Sequence, residues 1–274
     1  ASWMMRGINS GSSLSEARTL YELSRSLNDA DDFNEILQAV VSTVLPNAYR
    51  AIMILFTEPV QEERQPNDGL VRSDYVNTAL VPTDLRPVSL ENVEYELGAF
   101  PFLQRFDPST VVAVEDTQHD PRLDSSTRAL LLNTGMLSAV VVPLFVRSEW
   151  FGLVLIGFNQ PRTYSQREHR MFPGIIDPVS IATDNRVLFE QNKAESLRNQ
   201  TLYAASRAIN NAKTYSDLVA AVFTTTTDMR VNFTLALLEG DIDNDGWPTM
   251  QRVVAHGSML SVDALNFRHR IRVA

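Results

Sequence analysis

The sequence predicts an α+β fold: an antiparallel sheet of about five to six strands with helices packed on one face, joined by a long helix to a partial second copy. Three observations predict it. First, strand-like runs rich in Val, Ile, Leu and aromatics, at 138–146 and 150–158, form a hairpin bracketed by helical segments. An antiparallel sheet explains that pattern better than a parallel one. Second, neither Pro nor Gly occurs from Val179 to Ala212, where good helix formers prevail. At about 1.5 Å per residue this gives a rod of roughly 50 Å. Third, the start of the chain recurs without gaps at a constant offset of 182 residues: Thr19-Leu20-Tyr21 returns as Thr201-Leu202-Tyr203, Ser24-Arg25 as Ser206-Arg207 and Ala39-Val40 as Ala221-Val222. Between 19–41 and 201–223, 9 of 23 positions are identical. Such self-similarity marks one structural unit used twice.

The Ser/Gly/Asn-rich residues 1–13 read as a lead-in. Leu20, Leu23 and Leu27 have helical spacing, and 28–32 break that helix and cap the next. Phe33, Ile36, Leu37, Val40, Val41 and Val44 form the apolar face of a second helix, which ends before Pro46. Residues 51–56 read as a buried strand, 57–69 as a long polar connection and 70–78 as a second strand. A Pro-punctuated loop follows at 83–89, then a short or broken helix at 91–104 and a strand at 110–114. Residues 125–134 are helical, with Gly135 at the C-terminal end. The hairpin turns at Arg147-Ser148-Glu149. Ser165-Gln166-Arg167-Glu168 opens the long helix, where Pro173-Gly174 and Pro178 are expected breaks. The second copy repeats helix, helix and strand, with strands at 232–239 and 249–256 about a polar turn at 240–246. Its sheet would leave an open edge. The expected domains are 14–180, a connecting helix at 181–212 and a partial copy over 201–274.

Composition excludes several functions. A net charge of −9 disfavours a nucleic-acid surface, which needs clustered Lys and Arg. The absence of Cys removes disulfides, thiolate metal sites, a thiol nucleophile and a thioether-linked chromophore. The histidines at 119, 169, 256 and 269 show no metal-binding spacing. Asp241-Ile242-Asp243-Asn244-Asp245-Gly246 imitates a calcium loop, but its twelfth position is Arg252, so it reads as a polar turn. Glu115, Asp116, His119 and Asp120 share a loop with no nucleophile pattern nearby, and no catalytic activity is expected. No apolar run is long enough to span a bilayer and no secretory leader is visible, so no membrane contact and a cytoplasmic location are expected.

Several motifs, in order, resemble a GAF domain, a small-molecule sensing module of signalling proteins. Asp116 followed by Asp120-Pro121-Arg122 resembles the family's Asp-x-x-x-Asp-Pro-Arg loop. Ser138-Ala139-Val140-Val141-Val142-Pro143-Leu144 resembles its Val-Pro-Leu strand, Trp150-Phe151-Gly152-Leu153-Val154-Leu155 the returning strand, and Tyr164-Ser165-Gln166-Arg167-Glu168 the opening of the exit helix. The resemblance covers about 14–200, and a second copy from 201 to about 256.

That resemblance implies a ligand pocket between the sheet and the helices and loops on its other side. Carried over, the lining would include Phe100, Phe102, Val112, Val114, Asp116, Arg128, Leu132, Met136 and Val140. The family's cyclic-nucleotide signature is only partly matched, with Gln160, Tyr164 and His169 departing from it, and covalent bilin is excluded for want of Cys. No cofactor is expected beyond an unidentified small molecule. The implied role is a sensor and dimerisation module in a two-component system. A homodimer coiled coil of the connecting helix would pass a signal to an output domain such as a histidine kinase. Val187, Ala194, Leu197, Thr201, Ala204 and Ala208 form a stripe, which reads as core packing from Ile175 to Val187 and as the dimer seam beyond it. The alternative is a ligand-free structural dimerisation module.

Overall fold

The computed structural model describes residues 2–61, 66–81, 87–104, 107, 109–223, 233–242, 248–258 and 261–270. Residues 83–86 of the expected loop and 243–246 of the expected turn lie outside them. The chain divides into two compact units, Ala1–Phe189 and Glu190–Ala274.

In the first unit α1 (Ser2–Asn28) and α2 (Phe33–Val44) precede the sheet. Residues 2–13 are helical and continue α1, where the sequence reads as an irregular lead-in. Asp32 caps α2 by accepting from the Glu35 amide, while the Glu35 carboxylate accepts from the Asp31 amide. The strands are β1 (Arg50–Gln61), β2 (Asp68–Val76), β3 (Glu94–Glu96), β4 (Val112–Val114), β5 (Ser138–Val146) and β6 (Glu149–Phe158). They form one antiparallel sheet in the order β3-β2-β1-β6-β5-β4. Within the expected connection at 57–69, residues 57–61 and 68–69 are strand, because β1 runs on to Gln61 and pairs again with β6 beyond a register shift, and 62–65 lie outside the described residues. The expected helix at 91–104 is instead β3, a 3-10 turn at Leu97–Ala99 and α3 (Pro101–Gln104). Gly98 and Pro101 favour such short pieces over one helix.

The sheet has two apolar faces. Met53, Leu55, Val140, Val142, Val154 and Ile156 pack against Leu23, Ile36, Val40, Phe172, Ile175 and Val179 of the long helices. Ile52, Ile54, Val141, Leu153 and Leu155 pack on the other side, under short elements and α4 (Ser125–Asn133). The expectation of helices on one face thus holds for the long ones, and the nine-residue α4 covers the second together with other short elements. Gly135, at φ 78°, closes α4, with the Met136 amide donating to the Leu131 carbonyl. The β5–β6 turn places Arg147 and Ser148 at φ 53° and 65°, the twist-matched hairpin geometry in residues that seldom adopt it.

The helix α5 (Gln166–Asn211) opens with a reciprocal cap between Ser165 and Glu168. It continues through Pro173 and Pro178, which the sequence marks as breaks. Each proline removes only one helical donor, and Met171, Phe172, Ile175, Ile176 and Val179 are buried against the sheet. Packing therefore outweighs the local penalty. Among the described residues no helix is long and apolar enough to cross a membrane.

The second unit holds α6 (Tyr215–Phe223), β7 (Phe233–Ile242), β8 (Pro248–Ser258) and β9 (Ser261–Arg270). The strands form an antiparallel sheet in the order β7-β8-β9, with one more strand than the sequence led us to expect. The 182-residue offset persists in backbone detail. Ala51↔Tyr75 and Ile54↔Val71 in the first unit correspond to Phe233↔Gly257 and Ala236↔Val253 in the second. Even the irregularity recurs, between Met53 and Ile54 and between Leu235 and Ala236. The helix cap recurs too, with Thr214 and Asp217 standing for Asp32 and Glu35.

Candidate functional site

The second face of the sheet carries a partly open apolar cavity. Ile54 of β1, Val141 of β5 and Leu153 and Leu155 of β6 form its floor. Thr127, Leu130 and Leu131 of α4 form one wall, and Tyr95, Leu97, Phe100, Phe102 and Leu103 form a lid. The rings of Tyr95 and Phe100 meet edge to face at 6.0 Å. The free space left in it is about 40 Å³.

One carboxylate ties the Phe102 end of the lid to α4, while its Tyr95 end is held by the pairing of β3 with β2 and by the Leu97 amide on the Asn67 carbonyl. Asp124 caps α4, accepting from the Thr127 amide at 2.9 Å and hydroxyl at 2.7 Å, and accepts the Phe102 amide at 2.8 Å. Desolvation pushes the Asp124 carboxyl up, but the hydrogen bonds from Thr127, Phe102 and Ser126 prevail and hold it below the usual carboxylate range. One side chain thus ties the wall to the Phe102 end of the lid.

Of the nine residues singled out in the sequence, Phe100, Phe102 and Val114 line the cavity. Val112 and Met136 belong to the same apolar cluster without reaching it. Met136 is fully buried and lies over Gly157, where an added Cβ would stand 2.3 Å from its Cγ. Val140 lies on the opposite face, against the long helices. The register explains this: Val112 pairs with Val141, so Val141 shares its face and Val140 cannot. Leu132 is only partly buried and lines no part of the cavity.

Asp116 and Arg128 stand outside the cavity as well. The Asp116 carboxylate accepts from the Gln118 amide and meets His119 Nδ1 at 2.8 Å. That His119 hydrogen bond lowers its pKa. The Arg128 guanidinium donates to the carbonyls of Thr117, Asp120 and Leu123. Asp120 binds Arg122, which also donates to the Ala113 carbonyl at 2.6 Å. The Asp-x-x-x-Asp-Pro-Arg loop is therefore a self-contained brace between β4 and α4. Among the described residues no group of three or more His, Asp or Glu side chains could hold a metal ion.

The sequence reading missed the floor and most of the lid. The alternation of β5 and β6 carried the signal for the floor, one residue out of phase with the choice of Val140. Tyr95 and Leu97 had no such signal, since a three-residue strand shows no period.

No family model matches the chain, and no curated protein matches it either. Solved structures are similar to it. The phycocyanobilin-bound GAF domain from a cyanobacterial phytochrome is 20% identical over 63% of this chain and 96% of that one, with a TM-score of 0.46. The GAF domain of an Acinetobacter phosphoenolpyruvate-protein phosphotransferase is 15% identical over 64% and 97%, with a TM-score of 0.46. The chromophore-binding domain of a bacteriophytochrome from R. palustris is 15% identical over 63% of this chain, which spans 61% of that domain, with a TM-score of 0.46. The features that carry the assignment lie in the chain itself: two leading helices, a six-stranded antiparallel sheet, a braced Asp-x-x-x-Asp-Pro-Arg loop between β4 and α4, and the Val-Pro-Leu strand paired with the exit strand. By that order and placement, the first unit has a GAF-like fold.

Proposed function

We propose that this chain is a non-catalytic regulatory module that takes a small apolar molecule beneath the Tyr95–Leu103 lid. A signal would leave through α5, in a homodimer joined along the connecting helix, toward an output domain such as a histidine kinase. The observation that carries the reading is the cavity, lined by apolar side chains and covered by a segment whose Phe102 end is tied to α4 through Asp124. Coupling has a short physical route. Val141, Leu153 and Leu155 face the cavity, while their neighbours Val140, Val142, Val154 and Ile156 belong to the core cluster that includes Phe172, Ile175 and Val179 of α5. At the end of β5, Ser180 of α5 accepts the Phe145 amide at 2.9 Å. Only one layer of sheet separates ligand from rod.

The apolar lining bears on the class of ligand. A nucleotide or carboxylate would need polar partners there, and the charged groups of Asp116 and Arg128 point elsewhere. The reading is tested by native mass spectrometry of the freshly purified protein, then by thermal shift with apolar, nucleotide and amino-acid probes. Stabilisation by apolar probes alone is expected. Stabilisation by nucleotides instead would remove the apolar assignment.

A second reading, a ligand-free structural dimerisation module, is favoured by the small free volume of about 40 Å³. Ligand pockets usually offer roughly 300–1,000 Å³, so binding requires the lid to move. Failure of every probe to shift the transition, in the parent and in Leu131→Ala, would decide for this reading.

A further inference from the structure

We propose that the face of α5 directed away from the sheet is an interaction surface, and that it takes the same face of a second copy of this chain, parallel and in register about a twofold axis. The inference rests on the homodimer of the proposed function and assigns its contact residues and its direction. On the sheet side of α5, Val179, Ser180 and Thr183 are buried and Val187 packs against the core. On the opposite side Ile181, Asn185, Leu188, Asn192, Glu195 and Asn199 are all exposed, Ile181 at 55% and Leu188 at 40%. The stripe begins where α1 ends, since Asn28 shares a groove with Ile181 and Asn185.

The spacing is that of a helix pair. Steps of four and three residues alternate from Ile181 to Asn199, which keeps one stripe facing a partner helix over about 27 Å. Within the stripe two sets each recur every seven residues: Ile181, Leu188 and Glu195, and Asn185, Asn192 and Asn199. Parallel, in-register pairing sets each residue against its own counterpart. Every Asn amide then meets an identical amide, which both donates and accepts. Antiparallel pairing would set one series against the other, leaving amides buried beside Ile and Leu without partners. The asparagines therefore select the direction.

Charge selects the occupant. Glu195 is the one charged residue of the stripe, and Arg198 stands one turn further along the same helix, bordering it. In the parallel pair Arg198 of each copy reaches the partner's Glu195, so two crossed ion pairs offset the meeting of two carboxylates. A twofold interface needs a patch that complements itself, and this one does. Ala194 and Leu197 lie off the stripe in this register.

The experiment uses the whole chain, which has no Cys of its own. Single cysteines replace Leu188, Asn192 or Asn199, with Ala194→Cys and Leu197→Cys as controls on the same helix, under mild oxidation. Expected is a covalent dimer at all three stripe positions, well above both controls. Glu195→Leu should tighten the sedimenting dimer about tenfold, because an apolar layer replaces a charged one. Glu195→Arg should weaken it, and adding Arg198→Glu should restore it; failure of that rescue would overturn the crossed ion pairs. Crosslinking at the controls equal to that on the stripe, or confined to one stripe position as an antiparallel pair requires, overturns the seam and leaves the homodimer reading standing. A monomer in both the parent and Glu195→Leu overturns both.

Discussion

Arg50 and Asp74 form a two-pronged ion pair almost wholly removed from water. Arg50 Nε donates to Asp74 Oδ1 at 2.8 Å and Nη2 to Oδ2 at 2.6 Å, and the side chains are 3% and 0% exposed. The pair joins more than two strands. Arg50 Nη2 also donates to the Val88 carbonyl, and Asp74 Oδ2 accepts the Leu90 amide, both at 2.8 Å. The adjacent Tyr49 hydroxyl donates to the Thr134 carbonyl at the end of α4. The sheet, the segment before β3 and the α4 terminus thus meet at one charged knot beside the cavity.

Breaking one side of that knot strands a charge. Asp74→Ala should cost about 3–5 kcal/mol, because the Arg50 guanidinium stays buried without its counterion. Replacing both, as Arg50→Met with Asp74→Leu, should recover much of the loss. Urea unfolding of the single and double variants checks this. A single-variant cost below about 1 kcal/mol would mean that water reaches the site.

Alkaline stability should depend on Tyr49. Burial raises its pKa from 10.0 to about 12. The folded state therefore holds a proton that the unfolded chain releases first. Its contribution is full below pH 10 and is lost as pH rises through about 12. Tyr49→Phe should flatten the decline between these values while lowering stability at neutral pH through the lost hydrogen bond. Burial also raises Tyr164 and Tyr95, so some decline should remain. An unchanged slope in chemical-denaturation curves across that window would refute the assignment.

The Phe102 end of the lid should loosen when Asp124 is removed. Asp124→Ala takes away the α4 cap, at about 0.5–2 kcal/mol, and frees the Phe102 amide. Hydrogen exchange at Phe102 and Leu103 should accelerate more than exchange in β5. Since the Asp124 carboxyl is held below its ordinary pKa, the anchor persists above that ordinary value and is lost as pH falls through the lowered one. Uniform acceleration over the whole first unit would indicate general destabilisation instead.

Gly152 should tolerate no side chain. An added Cβ would lie 2.5 Å from the Ile54 carbonyl oxygen and 3.2 Å from Leu55 Cα, both backbone atoms. The strand β1 runs close past it just before the register with β6 shifts. Gly152→Ala should therefore cost about 1–3 kcal/mol. The constraint at Gly152 is strand–strand approach. Gly98→Ala, which meets nothing within 4 Å, is the matched control in thermal unfolding.

Local and periodic features were legible in the chain. Helix caps at Asp32 and Ser165, the β5–β6 hairpin, the stop at Gly135 and the 182-residue repeat all depend on neighbouring residues or on self-comparison. Tertiary contact decided the rest. Whether Val140 or Val141 faces the cavity depends on strand register, and whether Arg128 meets a ligand or its own loop depends on where three carbonyls converge. The ion pair between Arg50 and Asp74 joins residues on separate strands, and Pro173 and Pro178 stay helical where the flanking apolar residues are buried against the sheet. Sequence writes short-range preferences directly, but a side chain's partner is set by the path of the whole chain, and that path exists only after folding.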